Sequence, residues 1–241
     1  ICTRWHSDMH QQSHPRAVKY DRLCNALATH LITPSAGTKD YLVTHEGVPS
    51  AKVHTNEIGF DVEQFENVDP QRIENLKKRY NPEGRKPCIG VIARQVEWKG
   101  VHHIVEAFRR LRKEVPNAYL ILANAKGDYK QKVIELLKKL PESSYTEISY
   151  EPDVHALYQV FDIFVHAPIS PYSEPGGQVY VEGLLSGIPC VFTESGVVLG
   201  FARNKEHCMI VRHEDPVEIH NALRHLITDP TLAKAVAERG Q

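Results

Sequence analysis

The sequence lacks any apolar run that approaches the ~18 residues of a membrane-spanning helix, and no signal peptide precedes its first motif. It also lacks a basic block: 29 Lys and Arg stand against 30 Asp and Glu among 241 residues, a net charge of −1. Nucleic acids and anionic membranes bind clustered Lys and Arg. We therefore expect a cytoplasmic globular protein for which nucleic acid is not the main partner.

Cysteine is scarce, and its spacing is not that of a metal site. There are five cysteines, with no Cys-x-x-Cys pair, and the fourteen histidines include no His-Glu-x-x-His. An odd number of cysteines that fall mostly in apolar runs favours buried, reduced thiols over disulfides. We therefore expect no metal site. The cysteines are Cys2, Cys24, Cys88, Cys190 and Cys208.

What the chain does have, from about residue 86 onward, is an alternation of short β-branched runs with helical patterns. This order is typical of an α/β fold with a parallel, doubly wound, Rossmann-like sheet. The strand-like runs are 88–93, 118–123, 146–150, 162–167, 188–193 and 208–212. Helical patterns fall near 100–114, 129–140, 154–160, 178–185, 216–227 and 231–239.

The first 66 residues hold fewer elements than a full domain needs. They contain three strand-like runs and two helical patterns, one of them opened by Ser35 as a helix N-cap. We predict two domains: 1–66, part of an N-terminal domain, and 67–241, a complete C-terminal domain that starts near the helix Pro70–Tyr80. Because the chain opens at Ile1 without a methionine, we expect further sequence upstream.

The segment "SEPGGQVYVEG" is the strongest local signal for chemistry. Gly176 and Gly177 lead from a loop into a helix, whose N-terminal N–H groups attract anions such as a diphosphate. Glu174 and Glu182 lie eight residues apart, about two helical turns, and carboxylates suit sugar hydroxyls. In the alternative interpretation, Glu174 is a helix-start acid and Glu182 a surface residue.

A second segment, "ARQVEWKG", places Arg94 and Lys99 after the run 88–93. Ligands of open α/β sheets bind beyond the carboxyl ends of the strands. Two cations at that edge would neutralise a pyrophosphate. The alternative is a solvated loop.

Together these segments resemble the retaining GT-B glycosyltransferases of family 4. The pair Glu174 and Glu182 matches the family's Glu-x7-Glu pattern, and Arg94, Lys99 and Gly100 match its Arg-x4-Lys-Gly pattern. The stretches 31–43, 56–65 and 216–230 are similar to further family segments. The resemblance implies a GT-B fold, with a complete C-terminal Rossmann-like domain and a partial N-terminal one.

The resemblance also implies a site for a nucleotide diphosphate sugar. Glu174 would contact hydroxyls of the donor sugar, Glu182 the ribose, and Arg94 and Lys99 the diphosphate. The base would lie against 150–154, where we expect Pro152 and Val154 to bind it. Further donor-binding positions are expected at Gly100, Pro175, Gly176, Gly177 and Gln178.

One N-terminal residue completes the expected site, and two positions depart from the family. His6, in "TRWHSD", matches by position a histidine close to the transferred sugar; the alternative is a surface histidine. Where many members carry Gly-x-Gly after the second strand of this domain, Asn124 and Ala125 stand here, and Ile58 replaces a usual Asn. The family needs no metal cofactor, in keeping with the lack of Asp-x-Asp.

We therefore predict a retaining, metal-independent glycosyltransferase. The acceptor is expected to be a saccharide, a lipid-linked molecule or a small molecule. Peripheral membrane contact, if it occurs, is expected through the N-terminal domain. The alternatives are a non-catalytic nucleotide-sugar-binding module and a GT-B-fold epimerase.

Overall fold

Three short parallel strands open the computed structural model, which describes residues 1–5 and 14–241. Strands β1 (Cys2–Thr3), β2 (Leu31–Thr33) and β3 (Val53–Thr55) pair in chain order, and helices α1 (Ala17–Leu27) and α2 (Ala36–Thr44) lie between them in sequence. The predicted N-cap of α2 is confirmed, because the Ser35 hydroxyl accepts the backbone N–H of Thr38.

The described residues divide into two compact units that are not continuous in sequence. The first unit comprises Ile1–Phe60, Ser170–Gln178 and Glu194–Phe201, and the second comprises Asp61–Ile169, Val179–Thr193 and Ala202–Gln241. The division after residue 66 stays a prediction.

The second unit alternates helices and strands along the chain. Two helices come first, α3 (Glu63–Glu66) and α4 (Pro70–Tyr80). They are followed by β4 (Cys88–Ile92), α5 (Val101–Glu114), β5 (Tyr119–Ala123), α6 (Lys130–Leu137), β6 (Tyr145–Ile148), α7 (Val154–Tyr158), β7 (Ile163–His166), α8 (Gln178–Leu185), β8 (Cys190–Thr193), β9 (Met209–Val211), α9 (Pro216–Thr228) and α10 (Pro230–Gly240).

The six strands of the second unit form one parallel sheet in the order β6-β5-β4-β7-β8-β9. The chain runs outward from β4 to β6, then returns to the other side of β4 at β7. This order confirms the predicted doubly wound sheet, and it places a topological switch point between β4 and β7.

Successive strand residues point to opposite faces of this sheet, and both faces are buried. One face contributes Ile89, Val91 and Leu120 to an aliphatic core that helices α5, α6 and α9 complete. The other face carries an aromatic layer in which the rings of Tyr158 and Phe164 lie 5.1 Å apart.

All five cysteines are reduced, but only Cys88, Cys190 and Cys208 are buried. The prediction of burial is wrong for Cys24, which is exposed on α1, and for Cys2, which is half-buried. The reason is that α1 turns polar residues inward: Asn25 accepts a hydrogen bond of 2.9 Å from the buried Arg4. Within the described ranges, no helix is both long and apolar enough to cross a membrane.

Candidate functional site

A cavity of about 340 Å³ lies beyond the carboxyl ends of β4, β5 and β6 in the second unit. Its volume is in the range of small-molecule sites, and its position is where open α/β sheets bind their ligands. The lining residues are Ile92, Arg94, Ala123, Asn124, Lys126, Tyr150, Glu151, Val154 and Leu157.

Backbone hydrogen bonds join the two loops that form one wall of this cavity. The N–H of Gln95 donates to the carbonyl of Lys126 at 2.8 Å, and the N–H of Tyr129 donates to the carbonyl of Gln95 at 3.0 Å. The Gln95 side chain also donates to Glu147 at 2.9 Å. The loop after β4 and the loop after β5 therefore hold each other in place.

Gly100 explains why the Arg-x4-Lys segment ends in glycine. It follows the 3₁₀ turn Glu97–Lys99 and has a φ of +65°. A Cβ at this position would meet the carbonyl oxygen of Ala167 at 2.0 Å. Only glycine fits both the left-handed backbone and this close approach. Lys99 and Gly100 lie outside the cavity lining.

The cavity lining contains two cations, and each lies near an aromatic ring. The guanidinium carbon of the exposed Arg94 lies 6.0 Å from the ring centroid of Trp98. The ammonium of Lys126 lies 5.8 Å from the ring centroid of Tyr150, which is 69% exposed. Neither cation makes an ion pair with a residue that the structure describes. Positive charge that the fold leaves uncompensated suits an anion such as a phosphate.

Asn124 adopts the left-handed backbone conformation at the end of β5, with a φ of +59°. Asparagine tolerates this conformation better than most residues other than glycine. It therefore takes the backbone role of a glycine while adding a side-chain amide to the cavity lining. Its neighbour Ala125 is buried and donates its N–H to the carbonyl of Ile148 at 2.9 Å.

Glu151 is a buried carboxylate in the opposite wall, 8% exposed. Its Oε2 accepts the Tyr80 hydroxyl at 2.6 Å, and its Oε1 accepts the N–H of Asp153 at 3.0 Å. Burial first, and then the bond to Glu151, raise the pKa of Tyr80 to about 12. Of the two predicted base-binding residues, Val154 lines the cavity and Pro152 does not.

Glu182 is half-buried on α8, so the interpretation as a plain surface residue does not hold. Its Oε2 accepts the hydroxyl of the fully buried Tyr158 at 2.9 Å. Burial raises the pKa of Glu182 above its ordinary value, although the hydrogen bond from Tyr158 opposes that rise. Glu182 lies outside the cavity lining.

The segment Ser170–Gln178 belongs to the first unit, where it is bound to the start of α2. The carbonyl of Pro175 accepts hydrogen bonds from the hydroxyls of Ser35 and, at 3.2 Å, Thr38. The buried Glu174 donates its backbone N–H to the Ser195 hydroxyl at 2.9 Å. Gly176 and Gly177 follow and lead into α8, which begins at Gln178 as predicted. The predicted catalytic His6 lies outside the described residues.

The six-stranded order with a cavity at its carboxyl edge defines the second unit as a Rossmann-like α/β domain. Residues 72–241 match the family model described as "Glycosyl transferases group 1". Because this match spans more than half of the chain, the chain belongs to the group 1 glycosyltransferase family.

Curated relatives have similar sequences but are much longer. The lipopolysaccharide core biosynthesis glycosyltransferase LpsE of Rhizobium meliloti is 30% identical over 155 residues, which cover 64% of this chain and 43% of the relative. A GDP-mannose-dependent alpha-mannosyltransferase of Mycobacterium tuberculosis is 27% identical over 175 residues, 73% of this chain and 42% of the relative. The chain spans less than half the length of either protein.

Solved structures show the fold. Anabaena HepE, crystallised with UDP and glucose, superposes with a TM-score of 0.86 at 21% identity, covering 99% of this chain and 64% of that one. Sucrose-phosphate synthase from Thermosynechococcus elongatus superposes with a TM-score of 0.77 at 18% identity, covering 95% and 57%. These likenesses confirm the predicted GT-B class, with a complete Rossmann-like sheet and a partial second one.

Proposed function

We propose that this chain binds the donor for a glycosyltransferase that moves a sugar from a nucleotide diphosphate sugar to an acceptor with retention of configuration. The observation that carries the proposal is the cavity beyond β4, β5 and β6, with uncompensated Arg94 and Lys126, in a chain of the group 1 glycosyltransferase family. The complexes of the structural neighbour HepE with UDP and glucose and with UDP-glucose support it.

We assign the following roles to the residues that the sequence singles out. Arg94 and Lys99 neutralise the diphosphate and stabilise the charge that develops as it leaves. Glu182 accepts hydrogen bonds from the ribose, and the bond from Tyr158 holds its carboxylate in one orientation. Glu174 contacts hydroxyls of the donor sugar, and the backbone of 175–178 completes that contact.

The proposed reaction needs no enzymic nucleophile. The acceptor hydroxyl attacks the anomeric carbon on the face that the diphosphate leaves, and the leaving phosphate takes the hydroxyl proton. Transfer proceeds without a metal cofactor, so it persists in a chelator. The acceptor is a saccharide, a lipid-linked molecule or a small molecule, and residues 1–66 belong to the domain that binds it.

Ligand binding tests the proposal on the chain itself. A nucleotide diphosphate present at 100 times its dissociation constant contributes about 2.7 kcal/mol to the free energy of unfolding, which a thermal-shift screen detects. Glu182→Gln should weaken binding of both free nucleotide and nucleotide sugar, because ribose is common to both. Glu174→Gln should weaken only the nucleotide sugar.

Two results would contradict these roles. Equal losses for both ligands in Glu174→Gln would remove the sugar-hydroxyl role. A product of inverted anomeric configuration, read from the anomeric proton by NMR after transfer, would remove retention.

A further inference from the structure

We propose that the cavity in the second unit selects guanine, so that the donor is a guanosine diphosphate sugar. The inference rests on the proposed function and deepens it by naming the base. Glu151 belongs to the lining of this cavity, although it is only 8% exposed. A buried carboxylate has to be compensated by donors, and the donors that the fold supplies leave part of its capacity unused.

The hydrogen bonds of Glu151 show how much capacity remains. Two carboxylate oxygens offer about four acceptor positions. Tyr80 occupies one on Oε2 at 2.6 Å, and the N–H of Asp153 occupies one on Oε1 at 3.0 Å. The guanidinium of Arg79 forms an ion pair with Oε2 at 3.8 Å, a distance too long for a hydrogen bond. Each oxygen therefore keeps an acceptor position for a ligand.

Guanine is the common base whose donors match two adjacent acceptors. Its N1–H and N2–H groups lie side by side and point the same way, so one carboxylate accepts both. Uracil offers one N–H between two carbonyl oxygens, which a carboxylate repels. Adenine offers one amino group beside an acceptor nitrogen. Glu151 therefore favours guanine and disfavours the other two bases.

The surroundings of Glu151 suit the rest of such a nucleotide. Tyr150 exposes 69% of its surface beside the cavity, and aromatic faces of this kind stack on bases. Its ring is 5.8 Å from the Lys126 ammonium, and Arg94 adds a second positive charge to the same lining. Glu151 would therefore bind the base, and the two cations would bind the phosphates of the same nucleotide.

The test measures the affinity of the 241-residue chain for GDP, inosine diphosphate, UDP and ADP by calorimetric titration. We expect GDP to bind at least ten-fold more tightly than UDP or ADP. Inosine diphosphate lacks only the N2 amino group, so we expect it to bind several-fold more weakly than GDP. This series needs no variant and therefore does not depend on how a substitution folds.

A variant pair separates recognition from support of the fold. Glu151→Gln replaces one acceptor by a donor, and it should weaken GDP at least ten-fold while changing UDP less than three-fold. Glu142→Gln, at an exposed position, should change neither. A role in stability alone would leave the ratio of GDP to UDP affinity unchanged.

The outcomes distinguish the inference from the proposed function. UDP or ADP binding as tightly as GDP, or Glu151→Gln weakening all the nucleotides alike, overturns guanine selection and leaves nucleotide binding in place. If none of the four diphosphates binds, both are overturned.

Discussion

The two edges of the six-stranded sheet carry similar side chains but use them differently. At the amino edge, a smaller cavity of about 190 Å³ has Lys77, Arg85 and Lys86 in its lining. Lys86 pairs with Asp162 at 3.1 Å, and Arg85 pairs with Glu83 at 2.6 Å. At the carboxyl edge, Arg94 and Lys126 have no such partner in the described ranges.

The difference lies in which polar groups the fold itself consumes. Asp162 also accepts the N–H of Cys88 at 2.7 Å, and the side chain of Asn81 bonds to the backbone of Arg85 at both ends. These bonds hold the turn into β4, and they occupy Asn81 and Asp162. At the carboxyl edge, Arg94 and Lys126 line the cavity and make no ion pair with a described residue.

Two glycines with nearly equal φ, one at each edge of the sheet, should respond very differently to substitution by alanine. Gly100, at the carboxyl edge, has a φ of +65° and no room for a Cβ, whereas Gly84, at the amino edge, has a φ of +59° and open space. Gly100→Ala should lower the free energy of unfolding by roughly 3 to 4 kcal/mol. Gly84→Ala should cost about 1 kcal/mol, the price of a left-handed alanine.

Urea unfolding of the two variants checks this expectation. A larger loss in Gly84→Ala than in Gly100→Ala would contradict the account of the carboxyl edge.

His102, near the start of α5, should make the free energy of unfolding depend on pH, and this effect comes next in size. Burial first, and then His103 and Lys132, lower the pKa of His102 from 6.5 to about 4. His102 binds a proton more readily in the unfolded chain than in the folded one. Its contribution to the free energy of unfolding is therefore complete above pH 6.5 and is lost as the pH falls toward 4. The loss is at most about 3 kcal/mol.

Replacing His102 by Gln should flatten the curve of unfolding free energy between pH 4 and 6.5. The same change at the exposed His225 serves as the control. If the slope of unfolding free energy against pH is the same in His102→Gln as in the original chain, another group causes the loss of stability in acid.

A matched pair of cations gives the smallest effect and bears directly on function. Arg94→Ala removes a charge-assisted contact worth roughly 1.5 to 3 kcal/mol, so affinity for a nucleotide diphosphate should fall ten-fold or more. Lys99→Ala should do the same, and Lys77→Ala, at the amino edge, should leave affinity unchanged. Calorimetric titration measures all three affinities, and equal losses in Arg94→Ala and Lys77→Ala would contradict a nucleotide site at the carboxyl edge.

Much of the second unit could be predicted from its sequence, because both faces of the sheet are buried and strands such as β4 and β5 are buried along their whole length. The helix α8 and the helix Pro70–Tyr80 have the predicted bounds. Side chains that depend on strand order could not be predicted. Lys126 follows β5, and only the pairing of β5 with β4 brings it to the cavity of Arg94.

The two hydrogen bonds from tyrosine to glutamate also could not be predicted from the sequence. Tyr80 and Glu151 are 71 residues apart, and Tyr158 and Glu182 are 24 apart. Neither spacing has a local signature, since the partner is chosen by packing. Asn124 did carry a signal, because the family resemblance implies glycine near this position and asparagine tolerates the left-handed backbone that the structure shows.

Hydrogen–deuterium exchange, with and without a saturating nucleotide diphosphate, tests the contrast between the two edges most directly. GDP, UDP and ADP would each be added separately to the 241-residue chain. We predict that the ligand slows exchange in peptides covering 93–100, 124–130 and 149–154, and leaves 81–87 unchanged. Protection of 81–87 without protection of 93–100 would contradict the assignment of the carboxyl edge as the nucleotide site.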